Sequence, residues 1–190
     1  MDWDRVVRPN QPLIPVQLTT ARDFLKLGSD DDLQLRTALM AAAAFIEGPE
    51  GAGISLAPQT WVYYRDFFEV PIELPVMPST AITSIDYTDT DGNPQTVDSA
   101  DYELDIRRGL VRPTEGNSWP TAATSYEPVV VTYVAGYARL PDDLVMAVLL
   151  LTGRYYDNRA ELEGVAGARF AVPGGAQTII DRYRRGRFAS

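Results

Sequence analysis

The chain has 190 residues and a formal net charge of −9, from 17 basic and 26 acidic side chains. It contains no Cys and no His, which excludes thiol nucleophiles, thiolate metal sites and catalysis of the Ser-His-Asp or Cys-His type. The length fits one compact domain, or a small domain with an elaborated insertion, and no disulfide is needed to stabilise it.

The charge is unevenly distributed along the chain. Residues 1–153 carry 10 basic and 22 acidic side chains, whereas residues 154–190 carry 7 basic and 4 acidic ones. The acidic body disfavours a nucleic-acid binding module, because such a module is expected to be basic. The Arg-rich tail leaves contact with phosphate or with an acidic partner open.

The N-terminal segment is predicted to be extended. Residues 1–17 contain three prolines and no hydrophobic periodicity, which indicates an arm lying on a surface or on a neighbour. Acidic residues and prolines stand where a signal peptide would be basic and then apolar, so we expect no export. The apolar run Leu144 to Leu151 is far shorter than the ~20 residues of a membrane span.

Two helices are predicted next. Thr20 and Asp23 form a T-x-x-D capping box that opens a short helix ending at Gly28. Ser29 and the acidic residues 30–32 then cap a longer helix that ends at Gly48. One face of this second helix is apolar and consists of Leu35, Leu39, Ala42, Ala43 and Ile46. Residues 30–32 could instead bind a cation, but capping and the helix dipole account for them.

Short strands separated by turn signals follow the second helix. The candidate strands are Trp61–Tyr64, Phe68–Leu74, Ile82–Thr88, Tyr102–Leu104, Leu110–Arg112 and Val129–Val134, with hairpin tips at Asp91-Gly92 and Arg108-Gly109. The pattern predicts an antiparallel β-rich insertion, at about residues 57–134, between the second and third helices of a small helical bundle. The predicted fold class is therefore α+β.

The third helix is predicted to lie in the core. Pro141, Asp142 and Asp143 mark its N-terminus, because proline suits a first helical position and acidic side chains favour the positive end of the helix dipole. Every residue from Leu144 to Leu151 is apolar. We expect other elements to surround this helix on all sides.

The C-terminal part is predicted to be a hinge followed by a basic helix. Glycines and prolines indicate a flexible hinge at residues 160–175. The last helix places Ala176, Ile179, Ile180 and Tyr183 on one face, with arginines around it. Isolated helices of fewer than ~12 residues are marginal in water, so docking on its own domain or on a partner is needed to stabilise it. The alternative is a solvated basic tail. The predicted organisation is thus an arm (1–17), one α+β domain (18–159) and a hinged tail (160–190).

Three patterns raise the question of chemistry. Residues 48–58, GPEGAGISLAP, lack the Lys of a phosphate-binding loop and follow a helix instead of a strand. The segment DTDGN at 89–93 has its Gly in the fourth position, where a calcium loop requires the sixth, so we interpret it as a hairpin turn. Asp98, Asp101, Glu103 and Asp105 could supply a carboxylate pair for glycoside hydrolysis, which is a distant possibility. We expect no catalytic or metal-binding residues and no cofactor.

Several longer motifs occur in a characteristic order. They are LTTARDFLKL, DDDLQLRTALMAAAAFIEG, TWVYYRDF, LPVMPSTAITSIDYTDTDGN, the pair Trp119-Pro120, VTYVAGYARLPDDLVMAVLLLTGRYYDNRAEL and PGGAQTIIDRYRR, and the region they define is roughly residues 16–186. In this order and spacing the chain resembles the head-tail connector, or adaptor, proteins of long-tailed phages and of the related gene transfer agents. None of the motifs is diagnostic alone.

The resemblance implies a structural virion protein and no enzyme. It implies a connector subunit that forms a ring, typically of twelve copies, beneath the portal, joining the DNA-filled head to the tail and continuing the DNA channel. The implied partners are the portal protein, a stopper or tail-side neck protein and further copies of the chain, with DNA passing through without specific binding. The implied location is the head-tail junction of a phage or gene transfer agent particle, and the host cytoplasm during assembly, where the isolated subunit is expected to be monomeric. A neck or tail-completion protein is the alternative, ahead of an acidic hydrolase.

The tail carries the hypothesis about portal binding. A basic amphipathic helix on an acidic body suits a cleft of the portal ring, with apolar anchors and arginines that pair with portal acids. The residues of this hypothesis are Ile179, Ile180, Arg182, Tyr183, Arg184, Arg185, Arg187 and Phe188.

Overall fold

A computed structural model describes residues 6–7, 14–157 and 172–184. These residues form two compact units, a β unit of 6–7 and 58–136 and a helical unit of 14–57, 137–157 and 172–184. The α+β class predicted from the sequence is confirmed. The predicted division into arm, domain and hinged tail stays a prediction, and most of the hinge (160–171) lies outside the described residues.

The helical unit contains four helices. They are α1 (Leu18–Leu25), α2 (Asp32–Ile46), α3 (Asp142–Asp157) and α4 (Gly174–Tyr183). The predicted apolar face of α2 is confirmed, since all five of its residues are fully buried. They pack with Leu144, Ala147, Val148 and Leu151 of α3 in one hydrophobic core. The 3.6-residue period of α2 thus places its apolar side chains against α3.

The predicted start and end of the first helix were wrong, whereas the second helix ends next to Gly48 as predicted, with Glu47 as its cap and Gly48 at φ 76°. Helix α1 begins at Leu18 without a side-chain cap, so Thr20 and Asp23 lie within it. It ends at Leu25, because Lys26 adopts a left-handed conformation (φ 56°) that Gly28 was expected to provide. A single 3-10 turn, Ser29–Asp31, precedes α2, and neither it nor α2 has a side-chain cap. The carboxylate of Asp32 instead binds Arg22.

The ion pair between Arg22 and Asp32 joins α1 to α2. The guanidinium donates from Nε to Oδ1 (3.1 Å) and from Nη2 to Oδ2 (2.7 Å), which is bidentate pairing. The carboxylate of Asp32 raises the pKa of Arg22. One acid of the Asp triplet therefore serves helix packing, a role the sequence pattern did not reveal.

The glycine-rich segment after α2 folds back on the end of that helix. Gly48 N–H donates to the carbonyl of Ile54 (2.8 Å), and the buried Glu47 side chain accepts from the N–H of Leu56 (2.8 Å). A Cβ built on Gly51 would lie 2.6 Å from the carbonyl carbon of Ile46, so only glycine fits there. These contacts give the segment a structural role.

The β unit contains two antiparallel sheets. The larger has the order β1-β2-β8-β4-β5, and the smaller has the order β3-β7-β6. The strands are β1 (Val6–Val7), β2 (Gln59–Arg65), β3 (Ile72–Glu73), β4 (Ser79–Thr88), β5 (Pro94–Thr96), β6 (Tyr102–Asp105), β7 (Leu110–Pro113) and β8 (Val129–Ala135). Strand β8 pairs with both β2 and β4, and its alternate residues are buried. This alternation gives one core face and one outer face.

The structure corrects the predicted strands at three places. Of the predicted strand Phe68–Leu74, only Ile72–Glu73 pairs, because prolines at 71 and 75 interrupt the ladder on both sides. The short strands β1 and β5 were not predicted, since a two-residue strand and the sequence Pro-Gln-Thr carry no period-two pattern. Both predicted hairpin tips are confirmed, with positive φ at Gly92 and Gly109.

Helix α3 is less enclosed than its sequence predicts. Most of the run from 144 to 151 is buried, but the Met146 side chain is 42% exposed, and Val145 and Leu150 are only partly buried. The helical unit therefore leaves one edge of α3 uncovered within the described part of the chain.

Candidate interaction surface

Helix α4 packs on the helical unit of its own chain. Ala176 and Ile180, one helical turn apart, are buried in the core that α2 and α3 form, and Ile179 is partly buried against it. Burial of an Ile side chain stabilises by ~2 kcal/mol. The short helix is thus held in place by docking, as its length requires.

Asp143, in the first turn of α3, binds the end of α4. The Tyr183 hydroxyl donates to Asp143 Oδ1 at 2.7 Å, and Arg182 Nη2 donates to Oδ2 at 3.2 Å. The Tyr183 ring also meets the Tyr137 ring edge-on, with centroids 6.4 Å apart. A single carboxylate therefore ties two consecutive residues of α4 to the start of α3.

Burial and the charge of Asp143 raise the pKa values of two tyrosine hydroxyl groups. Burial, together with the hydrogen bond to Asp143, raises the pKa of Tyr183 to about 12. Burial and the same carboxylate also raise the pKa of Tyr137. Both phenols are therefore neutral across the physiological range, and Tyr183 remains a hydrogen-bond donor there.

The residues of the portal hypothesis occupy different environments. Ile180 is buried, Ile179 is partly buried, and Arg182 and Tyr183 are bound to Asp143. Arg184 is exposed, with its Nε 3.9 Å from Asp181. The remaining members, Arg185, Arg187 and Phe188, lie outside the described residues. The sequence pattern missed Asp143 as the partner of α4, because its helix-terminal position already explained an acidic residue.

The four acidic residues considered for hydrolysis take part in local structure. Asp98 accepts the N–H of Ala100 (2.9 Å), Asp101 accepts the side chain of Asn117 (2.9 Å), and Asp105 accepts two backbone amides of the β6–β7 turn. Glu103 pairs with an arginine, Arg112, across β6 and β7. Glu103 and Asp105 line a cavity of about 510 Å³ in which two arginines face them. These contacts engage all four carboxylates in turns and strand pairing.

The DTDGN segment forms the predicted hairpin turn. The Asp89 carboxylate accepts the N–H groups of Asp91 (3.0 Å) and Asn93 (2.8 Å), and these backbone hydrogen bonds, led by that of Asn93, lower its pKa. Across residues 6–7, 14–157 and 172–184, no three side chains of the metal-ligating types come together as a metal site. In the same ranges no helix has the length and apolarity needed to span a bilayer.

Trp119 of the Trp119-Pro120 pair has a structural role. Its indole Nε1 donates to the carbonyl of Glu69 (2.8 Å), and its ring stacks on Phe68 with centroids 5.1 Å apart. Phe68 in turn meets the edge of Tyr87 on β4. The aromatic chain fixes the long β7–β8 connection against the sheet.

Comparison with known proteins finds solved structures that share this fold. No family model matches the chain, and no match was found among curated proteins. Among solved structures, it is similar to a chain from the neck of an empty gene transfer agent particle computed with C6 symmetry, at 27% identity and a TM-score of 0.73. It is also similar to a chain from the virion of a native gene transfer agent particle, at 26% identity and a TM-score of 0.75. Both matches cover 97% of this chain and 97% of the other.

The chain shares the fold of gene transfer agent particle chains. A third match, to a chain from the neck of a native particle computed with C12 symmetry, has 22% identity and a TM-score of 0.68, and supports the fold alone. These matches confirm the resemblance predicted from the order of the sequence motifs. They include both the β unit and the helical unit, since nearly the whole chain is covered.

Proposed function

We propose that the chain is a structural subunit of the neck, at the head-tail junction of a phage or gene transfer agent particle. The observation that carries this proposal is the match to a neck chain over 97% of both chains at 27% identity. A match of this extent includes both units of the chain instead of one shared module. The finer proposal is a connector ring of about twelve copies beneath the portal that continues the DNA channel.

The charge distribution supports a channel lined by the β unit. Residues 58–136 carry 12 acidic and 4 basic side chains, while the rest of the chain carries 14 acidic and 13 basic ones. Nearly all of the net charge of −9 therefore belongs to the β unit. An acidic wall repels duplex phosphates, so DNA passes without being held.

Ile180 can act as an apolar anchor for the portal only after α4 has left its docked position. In the docked state Ile180 is buried in its own core, and among the described residues of the hypothesis the exposed ones are Arg182 and Arg184, whose side chains are 61% and 52% exposed. We infer that α4 is docked on its own helical unit before portal binds. On binding, the apolar residues of α4 leave α3 and pack in a cleft of the portal. The pairing of the arginines with portal acids then orients the helix.

The arginines can be tested without disturbing the core. The double variant Arg182→Gln with Arg184→Gln should lose portal capture in a pull-down while keeping its thermal transition. Arg107→Gln with Arg108→Gln, in the exposed β6–β7 turn, gives the same charge change elsewhere and should capture portal normally. Equal capture by both variants would refute the role of α4 in portal binding.

The neck assignment itself is tested in the producing cells. Deleting the gene should yield DNA-filled heads without tails, and electron microscopy of complemented particles should place a tagged chain at the neck. Tailed particles of normal yield in the deletion strain would exclude an essential junction role.

A further inference from the structure

The face of α2 that points away from the core carries one charged side chain, the exposed Arg36, and is otherwise uncharged. Opposite the buried stripe lie Leu33, Thr37, Met40, Ala41 and Ala44, which we call the outer face of α2. Leu33 is 79% exposed, Thr37 and Ala44 are exposed, and Met40 and Ala41 are partly buried. From Thr37 to Ile46 the helix has no charged side chain. A helix that faces solvent normally carries charges all along its outward side, so the uncharged turns after Arg36 indicate a protein-covered surface.

The hydroxyl group on this face is already hydrogen-bonded. The hydroxyl of Thr37 donates to the carbonyl of Leu33 in the preceding turn, at 2.9 Å. The methyl group of Thr37 then remains for apolar contact with a partner. The outer face therefore presents apolar groups along three turns, with small side chains at Ala41 and Ala44 that allow another helix to approach closely.

We propose that the outer face of α2 is the contact between neighbouring copies of this chain in the ring. The inference rests on the proposed neck function and names the surface that closes the ring. Two copies carry the same net charge of −9, so an interface between them must avoid acidic surface. The acidic β unit does not meet that requirement, whereas the outer face of α2 lies in the nearly neutral helical unit. A basic partner would instead call for acidic residues on this face.

Symmetry determines what the outer face contacts. The similar chains belong to particles computed with C6 and C12 symmetry. Copies related by such a rotation meet through two different patches, so the outer face of one copy contacts a different surface of the next. Leu33 therefore does not meet Leu33 of the neighbour.

The absence of cysteine allows a direct test in assembled particles. Leu33→Cys, labelled with a benzophenone maleimide and irradiated within purified particles, should give an adduct at twice the chain mass of 21.0 kDa. Peptide mapping should join position 33 to a different position of a second copy. Adducts only to another particle protein, or only within one chain, would overturn the proposal.

A charge variant gives an independent readout. Leu33→Asp should reduce incorporation into particles at least tenfold while leaving the thermal transition unchanged, because an acidic residue in the first turn of a helix is favourable. Two variants serve as controls and should be incorporated like wild type. Thr19→Asp places an acidic residue at another exposed position near a helix N-terminus, on α1. Leu33→Met keeps an apolar side chain at position 33. Wild-type chain missing from particles would overturn the neck function; Leu33→Asp incorporated like wild type would overturn only the contact.

Discussion

Removal of the Asp143 carboxylate should release α4 from the helical unit. The variant Asp143→Ala deletes the acceptor of the Tyr183 hydroxyl and of Arg182. Asp142→Ala is the matched control, because it removes the same charge from the same helical turn while its side chain has no part in those two bonds. The comparison removes the helix-dipole effect and leaves the contacts with α4 together with the Leu144 N–H that Asp143 also accepts (2.9 Å). Protection of the first turn of α3 reports the loss of that last bond separately.

The magnitude follows from the two contacts. A hydrogen bond to a charged group contributes ~1.5–3 kcal/mol. The Asp143 side chain is 34% exposed, so the lower end, ~1.5 kcal/mol, applies to the Tyr183 bond. The exposed Arg182 pair adds little. Since 1.4 kcal/mol corresponds to a factor of ten, the undocked population of α4 should rise about tenfold.

Hydrogen exchange of the α4 amides measures this opening. Exchange at residues 177–183 should be about tenfold faster in Asp143→Ala than in Asp142→Ala, with α2 protected equally in both. Identical rates would refute the view that Asp143 holds α4. Because the portal proposal uses undocked α4, Asp143→Ala should also capture portal more tightly, by up to the same factor. Weaker capture would show that the portal binds the docked helix.

Three further changes test other parts of the structure. Gly51→Ala should destabilise the helical unit by ~3 kcal/mol, since its Cβ would meet backbone, whereas Gly28→Ala, with no atom within 4 Å, should be nearly neutral in thermal unfolding. Folding raises the pKa of Tyr183 from 10.0 to about 12, so the contribution of the Tyr183 hydroxyl to docking is complete below pH 10 and is lost as the pH rises through 12. Circular dichroism should show a loss of helix in this pH range for the wild type. The variant Tyr183→Phe should not show it. Trp119→Phe should cost ~1 kcal/mol in denaturant unfolding, because it leaves the carbonyl of Glu69 without its donor but keeps the aromatic stack.

Helices and strands with one buried face could be predicted from the sequence, because the spacing of apolar residues within one element shows which face is buried. The α2 stripe and the alternation in β8 each reflect a single element with one face in a core, and that signal is contained in consecutive residues. The order of such segments was also enough to reveal the resemblance to particle proteins. The uneven charge of the chain likewise required nothing beyond composition.

The tertiary structure decided the features that depend on distant partners. Tyr183 and Asp143 are 40 residues apart, and no local pattern indicates that one hydroxyl meets one carboxylate. The end of α1 at Leu25, with Lys26 as a left-handed cap, reflects backbone hydrogen bonds that outweigh the cost of a left-handed residue. The exposure of Leu33 on the outer face of α2 also depends on distant elements, because the sequence pattern places Leu33 outside the buried stripe without showing whether another element covers it.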